Sequence, residues 1–249
     1  MSNTFRETLK RSRFLVTFVR AIRAGMEEYN DESRKKKSCR EREKVIRSYL
    51  ESHQIKMLQI GAGTTLLEGW LSTDIRPLRR EIIFLDATEP FPFENDTFDY
   101  VFSEHMIEHI SYDDGLSMLQ ECQRVLKPSG KIRIATPNIE NIVGLYSRQE
   151  SEFDQEYIKW AIDRFMKDTK SYHKSFVVNN FFRGFGHQFI YDPVTLQDAM
   201  EKVGFIQVKR YTPGESDDKI LCGIESHGQV IGDVRNQFET MVLEAKSPG

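Results

Sequence analysis

The chain has 249 residues, 39% hydrophobic and 11% aromatic, with a formal net charge of −3. That length suits one α/β domain with appendages, and the near-neutral balance speaks against a surface built to hold nucleic acid over the whole molecule. Cys39, Cys122 and Cys222 form no CxxC pair, against a zinc site or disulfide framework. No apolar stretch reaches the roughly 20 residues of a membrane span.

The charge is uneven: residues 1–50 carry a net +7 and the remainder −10, which together give the −3 of the whole. Residues 4–29 read as an amphipathic helix, with Phe5, Leu9, Val16 and Val19 at helical spacing and Phe14, Leu15, Phe18 and Ile22 widening the apolar face. Arg6, Lys10, Arg13, Arg20 and Arg23 decorate the rest. Such a helix either packs on the domain with its basic face solvated, or serves as a peripheral membrane contact or a lid. Arg and Lys also interrupt any signal-peptide h-region, so a cytoplasmic protein is expected. Arg34–Lys37 reads as a solvated run. A second helix is expected over 40–53, with Val45, Ile46, Tyr49 and Leu50 inward.

Lys56–Ile60 reads as a first strand that stops at Gly61-Ala62-Gly63, and Leu71–Ile75 as a second strand carrying Asp74 at its tip. A strand ending in Gly-x-Gly lets a ligand approach the backbone, because no Cβ intervenes. An acid at the next strand tip can accept both hydroxyls of a ribose. The pair points to a nucleoside-containing cofactor at the carboxyl ends of a parallel sheet. Between Gly63 and Leu71 there is room for only a turn or two of helix, less than the usual parallel crossover. A nicotinamide fingerprint needs a third glycine where Leu66 stands, and an acid further on than Asp74.

Ile82–Leu85 is a third strand ending in Asp86, and Asp86–Asp99 reads as a loop broken by prolines. Asp99–Ser103 is a fourth strand, followed directly by Glu104-His105-Met106-Ile107-Glu108-His109. Asp113–Leu126 is an amphipathic helix stopped by Lys127-Pro128-Ser129-Gly130, and Lys131–Thr136 a fifth strand. Alternating strands and helices give a parallel sheet with helices on both faces.

The series Gly61-Ala62-Gly63, Asp74, Asp86-Ala87, Pro90–Phe93, Phe98–Val101, His105-x-x-Glu108-His109 and Val125–Gly130 resembles the class I S-adenosylmethionine-dependent methyltransferases over about residues 55–138. The resemblance implies a Rossmann-like α/β fold: a mostly parallel seven-stranded sheet, helices on both faces and a C-terminal antiparallel hairpin. It implies S-adenosyl-L-methionine as cofactor. Gly61, Ala62 and Gly63 would face its methionine part, Asp74 with Ile75 its ribose, and Asp86 with Ala87 its adenine. Ser103, Glu104 and His105 would close over it. The family usually places an acid two residues before the first glycine, where Gln59 stands here. An Asn/Asp-Pro-Pro-Tyr tetrad, the mark of many nucleic-acid methyltransferases, is replaced by Ser103-Glu104-His105.

His105 and His109, four apart, would share one face of a helix. Glu104 and Glu108 lie off that face, so no metal site is expected. His109 is a general base, a group that orients the acceptor, or a packed histidine. Glu152–Lys170 reads as a helix. In the family an insertion after the fifth strand builds the acceptor pocket, and here Tyr172, His173, Phe182, Arg183 and His187 would line it. His109 and His187 are the catalytic candidates. Asp192 caps a helix over Pro193–Val203. Phe205–Tyr211 and Ile220–Glu225 read as the closing strand pair, and 227–249 as a polar tail.

The expected division is an N-terminal helical extension over 1–53, a cofactor-binding core over 54–138, a helical acceptor cap over 139–186, the rest of the core over 187–226 and a tail over 227–249. The expected activity is methyl transfer to a hydroxyl of a small molecule or glycan, without a nucleic-acid partner. The rivals are a non-catalytic Rossmann-like binding protein and a nicotinamide oxidoreductase.

Overall fold

The computed structural model describes residues 42–166, 169 and 171–249. The helix expected over 4–29, with the membrane contact assigned to it, and the run Arg34–Lys37 lie outside the described residues. Among the described residues, no helix is long and apolar enough to cross a membrane.

Seven strands form one sheet: β1 (Met57–Ile60), β2 (Trp70–Asp74), β3 (Ile83–Phe84), β4 (Phe98–Glu104), β5 (Leu126–Pro137), β6 (Ile206–Tyr211) and β7 (Thr240–Lys246). Their order is β3-β2-β1-β4-β5-β7-β6, and β7 alone runs antiparallel to its neighbours. Leu58, Gln59 and Ile60 are all buried, so β1 is covered on both faces as a central parallel strand must be. The chain leaves β1 toward β2 and β3 on one side and β4 and β5 on the other. The sheet therefore has its switch point between β1 and β4, where α/β sheets bind ligands beyond the carboxyl ends of the strands.

Helix α1 (42–52) packs Ile46 and Tyr49 onto the sheet, whereas Val45 turns outward. The Tyr49 hydroxyl accepts from the Met57 amide at 2.8 Å and lies 2.9 Å from the Gly69 carbonyl, pinning the starts of β1 and β2 together. The crossover between them contains turns and no helix. Helix α2 (Tyr112–Val125) is capped by Ser111 and buries Met118, Leu119, Cys122 and Val125. It ends at Val125, one residue before the expected Leu126, and Lys127–Gly130 then loop out within β5, between the pairs Phe98–Leu126 and Tyr100–Lys131. The Pro90–Phe93 stretch is an anchored loop: Phe91 and Phe93 are buried, and Arg124 donates to both their carbonyls.

After β5 come α3 (Ile139–Ser147), α4 (Glu152–Phe165) and α5 (Lys174–Arg183). They share a second small core of Ile142, Leu145, Tyr157, Ile158, Ala161, Ile162, Val177, Phe181 and Ile190. Helix α4 stops at Phe165, short of the expected Lys170. Helix α6 (Pro193–Lys202) starts with Asp192 accepting from the Thr195 amide, as expected.

The expected end of the sheet is corrected. Ile220–Glu225 is not a strand; it is held by turns, and the second hairpin strand is β7, inside the supposed polar tail. Short helices α7 (His227–Ile231) and α8 (Asp233–Glu239) lead into it. Thr240–Ala245 are buried between β5 and β6, so residues beyond 226 complete the core. The one carboxylate this burial forces inward, Glu244, is paired with the fully buried Arg133, whose Nη1 donates to it at 2.5 Å. Glu225 takes a second donation from Arg133 and ties the 212–225 segment to the sheet.

Candidate active site

The turn after β1 is shaped by two glycines in the left-handed region, Gly61 at φ +74° and Gly63 at φ +56°. They differ in what surrounds them. A Cβ on Gly61 would lie 2.5 Å from the Met106 side chain, whereas one on Gly63 would meet nothing within 4 Å. The open cradle is therefore on the Gly63 side. Gly61 makes room for the Met106 side chain.

Asp74 ends β2 beside this turn. Its Oδ2 accepts from the Gly63 amide at 2.8 Å and its Oδ1 from the Arg76 amide at 2.7 Å. Two amides leave further lone pairs on the carboxylate for hydroxyl donors. Asp86 follows the adjacent β3 and forms a turn through Thr88, whose amide and hydroxyl donate to its Oδ1. Both carboxylates thus lie on the same edge, at the carboxyl ends of neighbouring parallel strands. Ala62 and Ala87 are buried and Ile75 is exposed. Gln59 is buried with its amide oxygen accepting from Ser72 at 2.7 Å, so the family's usual acid is replaced by a residue used inside the sheet.

The end of β4 departs from expectation. Ser103 is 1% exposed and presents no surface to a ligand. The Glu104 carboxylate is taken by the amides of Ser226 and His227 and the Ser226 hydroxyl, at 2.9–3.0 Å. His105 adopts φ +47°, which breaks the strand and turns its ring toward Glu108 and Thr240. The residues that follow are not an α-helix but a single 3₁₀ turn, Ile107–His109. His105 therefore faces Glu108, three residues on, and not His109.

Glu108 is fully buried. Its Oε2 accepts from Thr136 Oγ1 at 2.9 Å, and the His105 Nδ1 lies 3.3 Å from Oε1. Burial raises the Glu108 carboxyl, but the neighbouring His105 outweighs it and the group is held below its ordinary value. Burial likewise works against the charged form of His105, and the Glu108, Glu104 and Glu239 carboxylates outweigh it, holding His105 above its ordinary value.

A cavity of about 320 Å³ opens between this turn and the helical cap. His105, Glu108, His109 and His187 form its floor. Tyr157, Phe165, Val177, Phe181 and Phe185 form its wall, and His227, Val230 and Ile231 close it from α7. His109 and His187, the two catalytic candidates, lie side by side with ring centroids 5.0 Å apart. Sequence reasoning chose the wrong face of α5. Phe182 and Arg183 are exposed, Tyr172 bonds Asp163 at the surface and His173 caps the helix start, while Val177 and Phe181 reach the cavity. The His187 Nδ1 lies 2.7 Å from the Phe181 carbonyl, which can only accept, so Nδ1 carries the proton. Burial holds His187 below its ordinary value. Helix α7 was missed as part of the site, because nothing local links Glu104 to Ser226, 122 positions on.

Residues 58–134 match the family model described as a methyltransferase domain. With the sheet order and the β7 position, this makes the matched segment a class I, S-adenosylmethionine-dependent methyltransferase domain. The matched segment is about a third of the chain, so the chain carries a methyltransferase domain, and the cofactor such a domain uses is S-adenosylmethionine. No curated protein matches it. Similar solved structures include a SAM-dependent methyltransferase from Archaeoglobus fulgidus, with 18% identity, TM-score 0.44, and 84% of this chain and 92% of that one covered. Another is phosphoethanolamine N-methyltransferase 2 of Haemonchus contortus, with 17% identity and TM-score 0.43. That match covers 78% of this chain and 49% of the longer protein. A nicotinamide site is disfavoured on geometry as well: the 61–69 crossover holds no helix whose N-terminus would face a pyrophosphate.

A Cβ on Gly63 would meet nothing, and Asp74 and Asp86 follow from the carboxyl ends of neighbouring parallel strands, an arrangement compatible with a nucleoside-containing cofactor.

Proposed function

We propose that the chain transfers a methyl group to a hydroxyl of a small molecule held in the cavity between the 105–109 turn and the helical cap. Gly63 and Ala62 would hold the methionine part of the cofactor, Asp74 its ribose hydroxyls, and Asp86 with Ala87 its adenine. When bound, S-adenosylmethionine supplies a methyl already activated on a sulfonium, so most of what remains for the protein is alignment. Glu104 would hold the 226–227 segment as a roof that excludes water. His109 and His187 would orient the acceptor hydroxyl and ease the loss of its proton.

The observation that carries this reading is the position of the cavity. His105, in its floor, directly follows β4, and Ser103 of that strand pairs with Ile60, one residue before the glycine turn. This adjacency supports an acceptor presented toward the turn after β1. The aromatic wall and modest volume suit a compact acceptor with an apolar body better than an extended glycan, which needs an open cleft. In this reading residues 54–138 bind the cofactor, 139–186 cap the acceptor, and the remainder completes the core.

The test is transfer of labelled methyl from S-adenosylmethionine to a panel of small aromatic and aliphatic alcohols, amines and short glycans. Labelling of a hydroxyl, reduced by His109→Ala and His187→Ala without loss of cofactor binding, supports it. Cofactor binding with no transfer to any acceptor favours a binding protein. Labelling confined to nitrogen or to glycans overturns the acceptor class.

A further inference from the structure

We propose that Glu108, His109 and His187 hold a divalent transition-metal ion on the floor of the acceptor cavity. One ligand atom from each of the three lies within 4.8 Å of the others. Two imidazoles and one carboxylate on one side of a cavity form a donor set suited to zinc or ferrous iron, with positions left open toward the empty side.

The carboxylate carries the argument. Glu108 is fully buried, yet its Oε1 receives no hydrogen bond. The His105 Nδ1 approaches it at 3.3 Å without hydrogen-bond alignment. The ion pair with His105 meets part of the cost of burying this carboxylate, and Oε1 keeps a lone pair open to a bound cation. The outer contacts are those of an oriented ligand set. Thr136 holds the other Glu108 oxygen, and the Phe181 carbonyl fixes Nδ1 of His187 as the protonated nitrogen, leaving Nε2 free to ligate. Gln188 locks the two segments together, its backbone amide donating to the Glu108 carbonyl at 2.7 Å and its side chain to the His109 carbonyl at 2.8 Å. Outer-shell partners of this kind orient metal ligands. The sequence hides the set, because His187 comes from beyond the cap and the 3₁₀ turn, not a helix, aims Glu108 inward.

An ion there would offer its open positions to an oxygen of the acceptor and lower the cost of losing a hydroxyl proton. That role rests on the acceptor reading above; binding of the ion does not.

The experiment uses the full chain without a histidine tag, stripped with chelator and dialysed, and titrated with Zn²⁺ by calorimetry, with bound metal counted by mass spectrometry. One equivalent per chain is expected in the wild type. It should be lost or weakened at least ~10-fold in His187→Ala and Glu108→Gln. Thr136→Val keeps all three ligands and should weaken binding roughly 10–100-fold. If the buried Glu108→Gln fails to fold, His187→Ala and Thr136→Val decide. No uptake by the wild type, or wild-type affinity retained in His187→Ala, overturns the proposal. Titrating S-adenosylmethionine into the same samples separates the two claims: cofactor binding without Zn²⁺ binding overturns the metal site alone, and the reverse overturns the methyl-transfer reading alone.

Discussion

The Gly63 amide donates to the Asp74 carboxylate at 2.8 Å, and this single bond ties the turn after β1 to the tip of β2. Asp74 organises the glycine turn, and in the proposed reading its remaining lone pairs would also take the ribose hydroxyls. Asp74→Ala should weaken S-adenosylmethionine by roughly 10–100-fold, the equivalent of one or two hydrogen bonds to a charged group. Asp74→Asn, which can still accept from Gly63, should lose less. Calorimetry on both variants checks this, and equal losses would separate the turn from the ribose contact.

The two glycines of the turn should respond differently. Each holds a backbone conformation that costs an L-residue about 1–2 kcal/mol. Gly61→Ala adds a collision with Met106, whereas the Cβ of Gly63→Ala enters open space. Gly61→Ala should therefore be the more destabilising in urea, and Gly63→Ala should stay folded while losing cofactor affinity. Both free energies follow from urea unfolding curves.

Glu104 holds the roof. Removing its carboxylate leaves the Ser226 and His227 amides without their partner, at a cost of about 1–3 kcal/mol if they stay buried. The simpler escape is for 226–231 to lift. Glu104→Ala should raise hydrogen exchange in α7 while leaving β1 and β4 protected. Uniformly raised exchange would instead mark Glu104 as a general stabiliser of the fold.

Helix α4 begins with a pH-sensitive lock. Asp154 joins a capping box with Ser151 and receives Arg148 at 2.6 Å. The Arg148 guanidinium beside it holds its carboxyl down at about 2, against an ordinary 3.8. A depressed acid stabilises the fold above its unfolded value and loses that contribution as pH falls through its folded one. The destabilisation caused by Asp154→Asn should be constant above about pH 5 and shrink between about pH 4 and 2. Urea midpoints across that range check it.

Much of the sheet could be read from the sequence because β1, β2 and β4 are apolar runs cut off by glycine or acid at their carboxyl ends. The same punctuation revealed Asp74 and Asp86. β7 was hidden because Glu244 and Lys246 make it look solvated, and only the distant Arg133 neutralises Glu244. Ile220–Glu225 looked like a strand because of its apolar residues, yet Leu221 alone is buried there and turns hold the rest. The 105–109 segment misled because a helical period was assumed where His105 takes a left-handed backbone. On α5 the aromatic residues Phe181 and Phe182 are adjacent, and sequence alone does not say which faces the cavity.

The most direct test of the central claim is equilibrium titration of the full chain with S-adenosylmethionine, wild type beside Gly63→Ala and Asp74→Ala. The account expects one site per chain in the wild type, and marked weakening in both variants with the fold intact by circular dichroism. No binding by the folded wild type, or undiminished affinity in both variants, would contradict it.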